Sequence, residues 1–579
     1  MKAACRHAWA LALAGIVLVG AVEAAAEAPQ KARKAEAARG LAPSSFGSYL
    51  AGRYAERVSD LKTGADLMLR VLEESPEDEE LLRRTFMLTL GAGRLAEARQ
   101  LALRIEAAKV DVPSATLLLA ADAMRERRYA DARKRLEAMA ETGLARYAAP
   151  IGIAWSYAGE KRPEEALKAL ESLESQAGFK ALYLMHAGLI LDMNGRGPAA
   201  EEKFRAIADD LSDAPLRVVR AAGSFLERRG RKDEARNLYR TYIDDHPDSY
   251  VFEAELERLD AGKPAEPLVG SPAEGMAEGL FNLASALPRD RAGSIALIYA
   301  QVALSLRPNF SLGHILIGDI LMSREQYNAA IAAYRAVAAS DTYSWAARLR
   351  VADALYEEKL IPEAVTLLEN MAAERRDRPD ALVRLGNLLR YEERFDEAVK
   401  AYDRAFARFD KDHVPDWMLY YYRGIALERS KQWDRAEKDF LTALEREPEQ
   451  PYVLNYLGYT WVELGRNIER AKAMIMRAVE LRQDDGYIVD SMGWVLYRLG
   501  DYKEAVGHLE RAVQLRPQDP VINDHLGDAY WRVGRQHEAR FQWQRALSLE
   551  PEKDNVAKIE TKLEHGLDAA AEKPAGSGG

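Results

Sequence analysis

Apolar side chains recur along most of this chain at spacings of three and four residues, the signature of one buried stripe on an α-helix. In the stretch Gly486 to Ala505, for example, Val489, Met492, Gly493 and Leu496 follow an i, i+3, i+4, i+7 pattern. Alternating strand-like runs are absent and β-branched runs are few, so the pattern predicts an all-α protein. The helical segments are short, and turn residues interrupt them at regular intervals. That regularity makes an internal repeat the next thing to test.

With Gly486 as position 1, Gly493 falls at position 8, Ala505 at position 20 and Pro517 at position 32. Stepping 34 residues to Pro520 returns Gly527, Ala539 and Pro551, and the unit from Trp417 returns Gly424, Ala436 and Pro448. The unit from Pro451 fits with one inserted residue near Asn467. Further units begin at Ala277, Ser311, Trp345 and Pro379, and earlier ones at Ser45, Glu79, Pro113, Tyr147, Ala181 and Leu216. Of these fourteen units, thirteen have alanine at position 20, Gly64 being the exception, and thirteen have Gly or Ala at position 8, Phe86 being the exception. The reading is a repeated helix–turn–helix hairpin in which positions 8 and 20 mark the closest approach of helices A and B. Glycine at position 15 (Gly93, Gly195, Gly230, Gly465, Gly500, Gly534) ends helix A.

The runs YVLNYLGYTWVELG, DYKEAVGHLERAVQLRP and WDRAEKDFLTALEREP resemble the tetratricopeptide repeat (TPR) family, over residues 45 to 552. The resemblance implies a right-handed superhelical α-solenoid of helix–turn–helix repeats that binds other proteins or peptide segments. The C-terminal half, from DWMLYYYRGIALERSKQWDRAEKDF through LGYTW to DSMGWVLYRLG, is also similar to periplasmic TPR lipoproteins that bring a carboxyl-terminal processing protease to its substrates. Those proteins carry a lipid-anchoring cysteine after the leader; the only cysteine here is Cys5, upstream of the apolar run. The competing reading of the same features is a structural component of envelope assembly or polysaccharide secretion.

The expected organisation is a signal peptide at 1–24, a flexible linker at 25–44, an N-terminal array of about six repeats at 45–248, an irregular Pro- and Gly-rich connector at 249–276, a C-terminal array of about eight repeats at 277–552, a capping helix at 553–567 and a disordered tail at 568–579. The leader is read from Lys2 and Arg6, the apolar run Ala8 to Val22, and small residues beyond it. It predicts export to the periplasm, with an uncleaved leader as a membrane anchor being the alternative.

Composition adds exclusions. The 579 residues are 48% hydrophobic and 30% charged with a formal net charge of −10, and the signs are interspersed, which gives no basic stripe for nucleic acid. No nucleophile elbow, phosphate loop, dinucleotide fingerprint or zinc-protease motif is present, so neither a catalytic residue nor a cofactor is expected. His525 and His537 lack ligand spacing and read as surface histidines rather than a metal site.

A second stripe runs beside the buried one, at positions 5, 9, 12 and 13 of helix A. Its members are Asn455, Tyr459, Val462 and Glu463, then Asp490, Trp494, Tyr497 and Arg498, then Asp524, Asp528, Trp531 and Arg532. Aromatics and arginine among acids suit a protein-binding surface. The TPR resemblance implies that this face lines the concave groove. The candidate binding residues are therefore Asn455, Tyr459, Asp490, Trp494, Tyr497, Arg498, Asp528, Trp531 and Arg532. Packing between neighbouring repeats is the competing role for each aromatic.

Overall fold

The computed structural model describes residues 44–139, 143–176, 178–208, 215–245, 252–409 and 414–567, with the backbone alone at 289–291. The leader, the tail and all of the linker but Ser44 lie outside these residues. Among the described residues there are thirty helices, numbered α1 to α30 in chain order, and no strands. The protein is an all-α solenoid of helical hairpins. None of the described helices is long and apolar enough to cross a membrane.

Local chemistry explains the periodic starts and stops. Asp78, Asp416, Asp485 and Asp519 each accept a hydrogen bond from a backbone N–H in the first turn of the helix that follows. These side chains satisfy donors that a helix start leaves open. Helix A then ends at position 15 with a left-handed residue in thirteen units. Glycine fills it at six, whereas Ser59, Arg127, Lys161, Glu325, Lys359, Glu393 and Lys431 take the same conformation with a Cβ. A non-glycine residue costs about 1 kcal/mol there. Lys431→Gly (φ 64°) should therefore raise stability by roughly 0.5–1 kcal/mol, and Gly500→Ala (φ 87°) should lower it by about 1 kcal/mol. Urea midpoints for the two variants check the opposite signs.

Position 8 is small because of position 24. A Cβ on Gly188, Gly223, Gly318, Gly386, Gly424 or Gly527 would strike the ring of Phe204, Tyr239, Tyr334, Tyr402, Phe440 or Trp543 at under 3 Å. The sequence pattern pairs position 8 with position 20. In the structure the alanines at position 20 are buried, and the ring one turn further along helix B is what presses on the glycine.

The chain forms two compact units that part between Leu367 and Leu368. In the first, the early hairpins do not present an open inner face. α14 (Pro272–Ser285) packs against α7 (Ala145–Gly159), and also touches α5 (Pro113–Arg125) and α9 (Lys180–Met193). α15 (Arg289–Leu306) lies against α5 and α3 (Glu79–Gly91). These partners are all A helices, so the α14–α15 hairpin fills the A-helix face of the second to fifth hairpins.

The segment before α14 supplies the reversal. α13 (Glu253–Asp260) is held to α11 (Leu216–Arg228) by a buried Arg220–Glu255 pair at 2.9 Å and by Arg258 on Glu227 at 2.6 Å. Ser224 then donates to the Glu266 carbonyl at 2.8 Å. Two glycines let α14 enter. A Cβ on Gly275 would lie 2.3 Å from the Trp155 ring, and one on Gly279 2.4 Å from Ile151. At the centre, Trp155 Nε1 donates to His186 Nδ1 at 3.0 Å, and Arg217 Nε donates to Glu278 Oε1 at 2.7 Å. Trp155, His186 and Glu278 are fully enclosed.

Candidate binding face

In the second unit, α24 (Pro451–Glu463), α26 (Gly486–Leu499) and α28 (Pro520–Arg532) are successive A helices, and they carry the candidate stripe. Their inner stripes pack as the spacing predicts: Val489, Met492 and Leu496 are buried. The 34-residue period places position 13 of one helix beside positions 9 and 13 of the next. Glu463 accepts from Trp494 Nε1 at 3.0 Å and from Arg498 at 2.7 Å, so one carboxylate joins two repeats. Trp494 stacks on Tyr497, with centroids 4.9 Å apart, and on His525 at 4.0 Å.

Behind this stack lies a buried pair. His525 Nδ1 is 3.0 Å from both Asp490 oxygens. Burial alone would lower the His525 pKa, but the charge and hydrogen bond of Asp490 outweigh it and raise it. His525 is therefore enclosed, and the expectation of a surface histidine is corrected. Its signal was available: an acid at position 5 of one repeat followed, one period and one residue later, by histidine. Exposed His537 matches the expectation.

The structure thus brings Trp494, Tyr497 and Arg498 together at a half-open surface, with Glu463 as their hub. Tyr459 and Asp490 lie beneath it. Tyr459 is buried, which pushes its phenol pKa well up, with Glu463 and Asp490 adding to the rise. Asn455 is half-buried, and its Oδ1 accepts no hydrogen bond among the described residues. Burial also raises the Tyr497 phenol, against the opposing effect of its hydrogen bond with Arg532. Trp494→Ala should remove two stacking contacts and uncover the Asp490–His525 pair. The expected loss is roughly 1–2 kcal/mol, measurable as a shift in the urea midpoint.

Asp528 and Trp531 stand differently. Asp528 is enclosed, accepts from Trp543 Nε1 at 2.8 Å and meets Lys562 at 2.8 Å. Burial and neighbouring Asp524 push its pKa up to about 6, against the pull of Lys562. Trp531 packs on Trp543 with centroids 5.4 Å apart, and Gly566 sits so close that a Cβ would meet its ring at 2.3 Å. α30 (Lys553–His565) therefore occupies the place of a next A helix and covers these two residues. The stripe pattern alone does not separate its covered members from its open ones; the signal for the cover is the segment at 553–567 after the last repeat, which reads as a capping helix. No cluster of His, Cys, Asp or Glu among the described residues has the arrangement of a metal site.

Matches to tetratricopeptide repeat families span residues 151–215, 219–249, 315–381, 383–451, 423–469 and 493–534, together about half of the chain. No curated protein matches the chain significantly. Among solved structures, the chain is similar to the APC/C hetero-tetramer Cut9–Hcn1 at 14% identity and a TM-score of 0.38, over 91% of this chain and 98% of that one. A tetratricopeptide repeat protein from Parabacteroides merdae matches at 12% identity and a TM-score of 0.36, over 42% and 95%. YrrB, described as a TPR protein with an unusual peptide-binding site, matches at 20% identity and a TM-score of 0.27, over 34% and 97%. With its helix-pair period and these family matches, the chain belongs to the tetratricopeptide repeat family.

Proposed function

We propose that this protein is an exported, non-enzymatic scaffold that holds a segment of another envelope protein against the Asn455–Arg498 face, and brings a processing protease to its substrates. The observation that carries the binding role is the half-open Glu463–Trp494–Tyr497–Arg498 network. It joins aromatic area to a cation and an anion, the mix that dominates protein recognition. The first unit's corresponding face is filled by α14–α15, which leaves fewer A-helix surfaces for a partner. The repeats bury their faces against neighbours and leave extended surface rather than a reaction cavity. Export is supported by the charged, apolar and small-residue order of the first 26 residues.

A photo-crosslinking residue at Tyr497, in the chain expressed with its leader, tests the reading. The expected result is capture of a protease and its substrates from the envelope fraction, abolished by Arg498→Glu. That substitution places a second carboxylate beside Glu463 and should change stability by less than about 1 kcal/mol, because both groups are solvent-screened. Capture of secretion or assembly components instead would favour a structural role. Capture unaffected by Arg498→Glu would place binding elsewhere.

A further inference from the structure

α1 (Ser45–Arg57) has a second face whose large apolar side chains are exposed. Its inner side is regular: Ser48, Gly52 and Ala55 are buried against the hairpin. On the other side Phe46, Leu50, Tyr54 and the C-cap residue Val58, whose carbonyl accepts from Gln326 Nε2 at 3.1 Å, follow one another at four-residue steps and are 72%, 52%, 67% and 42% exposed. Four large apolar side chains in line are unlike singly scattered surface hydrophobics and mark an interaction surface. Elsewhere among the described residues, the exposed large apolar side chains do not run four in register along one helix.

The charges on the same face have one sign available. Arg53 and Arg57 lie between the apolar residues, at the same helical phase. Glu56 is engaged by Arg84 at 2.6 Å and Arg53 at 3.4 Å, and Asp60 accepts from the Thr63 N–H at 3.1 Å. No carboxylate among the described residues pairs with Arg57. The sequence immediately preceding α1, residues 28–43, is also basic, with Lys31, Arg33, Lys34 and Arg39 against Glu36. Glu23 and Glu27 lie between it and the apolar run ending at Val22.

We propose that this face of α1 docks on an anionic lipid surface. Phe and Tyr beside Leu and Val, with Arg57 and with Arg53, which donates to the Tyr49 hydroxyl at 3.1 Å, is the composition of a helix lying in a membrane interface. Tyrosine suits that boundary because its ring is apolar and its hydroxyl is wet. A second copy of the chain fits less well. A helix of 13 residues is about 20 Å long. A strip of that length and roughly 10 Å wide buries only a few hundred Å² on both partners, against about 1,200 Å² or more in a stable interface. The basic segment before α1 would likewise repel its symmetry mate and attract an anionic headgroup.

The test uses the full chain with Cys5→Ser, so that Leu50→Cys gives a single thiol for an environment-sensitive fluorophore. Vesicles are 3:1 phosphatidylethanolamine to phosphatidylglycerol, with nitroxide-bearing lipid as quencher. The expected result is a blue shift and quenching on these vesicles, at least tenfold weaker on pure phosphatidylcholine and in a Phe46→Asp, Tyr54→Asp variant. Both substitutions are at exposed sites, and unchanged circular dichroism confirms folding. Quenching that persists in the variant assigns the contact to the leader and overturns the proposal. A blue shift that grows with protein concentration without lipid shows a second copy and overturns it. A fluorophore already shielded at high dilution without lipid shows cover by the chain's own N-terminal residues and overturns it, as does a fluorophore that stays exposed with every vesicle.

Discussion

Glu278→Gln should destabilise the first unit by about 3–5 kcal/mol, the usual cost of removing one partner from a fully buried ion pair. The loss should be visible as faster hydrogen exchange in α14 and α7. Glu278 is fully enclosed, and Arg217, its partner on α11, is buried as well. Without the carboxylate, the guanidinium has lost its counter-charge in a place water does not reach. Replacing both, as Arg217→Met with Glu278→Leu, should recover most of the loss, because two apolar side chains of similar volume carry no desolvation penalty. A single variant that loses less than 1 kcal/mol would show that the pair does not hold the hairpin in place.

The second large effect is with pH, and the two units should respond in opposite directions. Burial pushes the His186 pKa down to about 4, against the opposing charge of Glu278. Its Nδ1 accepts from Trp155, and its Nε2 faces α14 without a hydrogen-bond partner. A proton on Nδ1 would displace the Trp155 donor, so the folded state keeps the ring neutral. The unfolded chain takes up that proton near pH 6.5. The stabilisation is therefore complete above about pH 6.5 and is lost as pH falls toward 4, by up to about 1.4 kcal/mol per pH unit.

His525 has the reverse sign. Its folded pKa is raised, so its contribution is full below the unfolded pKa and is lost as pH rises through the folded one. Asp528 acts with it. A carboxyl pushed up to about 6 gains stability as pH falls from there toward its ordinary range. Hydrogen exchange at pH 7 and pH 5 should show weaker protection in α7 and α14 and equal or stronger protection in α26 and α28. His186→Gln should flatten the first trend. Weakening of both units in parallel would contradict the assignment of these two histidines.

Much of this architecture was legible in the chain because a repeat writes the same physical constraint many times. The left-handed turn at position 15 appears as glycine often enough to be read, although seven units meet the same geometry with other residues. The small residue at position 8 was legible, but its reason was not. The side chain at position 24 changes among Phe, Tyr, Trp and the aliphatic Leu, while alanine at position 20 is nearly constant and draws the eye. What the period could not carry was contact outside the register. Gly275 and Gly279 stand four apart on one helix face, yet the sequence reading divides them, Gly275 in the Pro- and Gly-rich connector and Gly279 in the unit begun at Ala277. Only their distant partners, Trp155 and Ile151, give the spacing its meaning. The cover over Asp528 and Trp531 comes from α30, in the segment read as a capping helix, although the stripe pattern by itself marks both residues as open.

The self-filled face also sets an order of events for a chain made from its N-terminus. Hairpins two to five are complete once residue 208 has been synthesised, but the helices that fill them end at Leu306. For about a hundred residues of synthesis the nascent array has its Trp155 and Ile151 surface bare. Closing it then requires contacts between segments far apart in sequence, which are slow to form. The first unit should consequently reach its protected state late, in one step with the arrival of α14 and α15. Truncations ending before Pro272 should bind helper proteins that shield apolar grooves, while those ending after Leu306 should not.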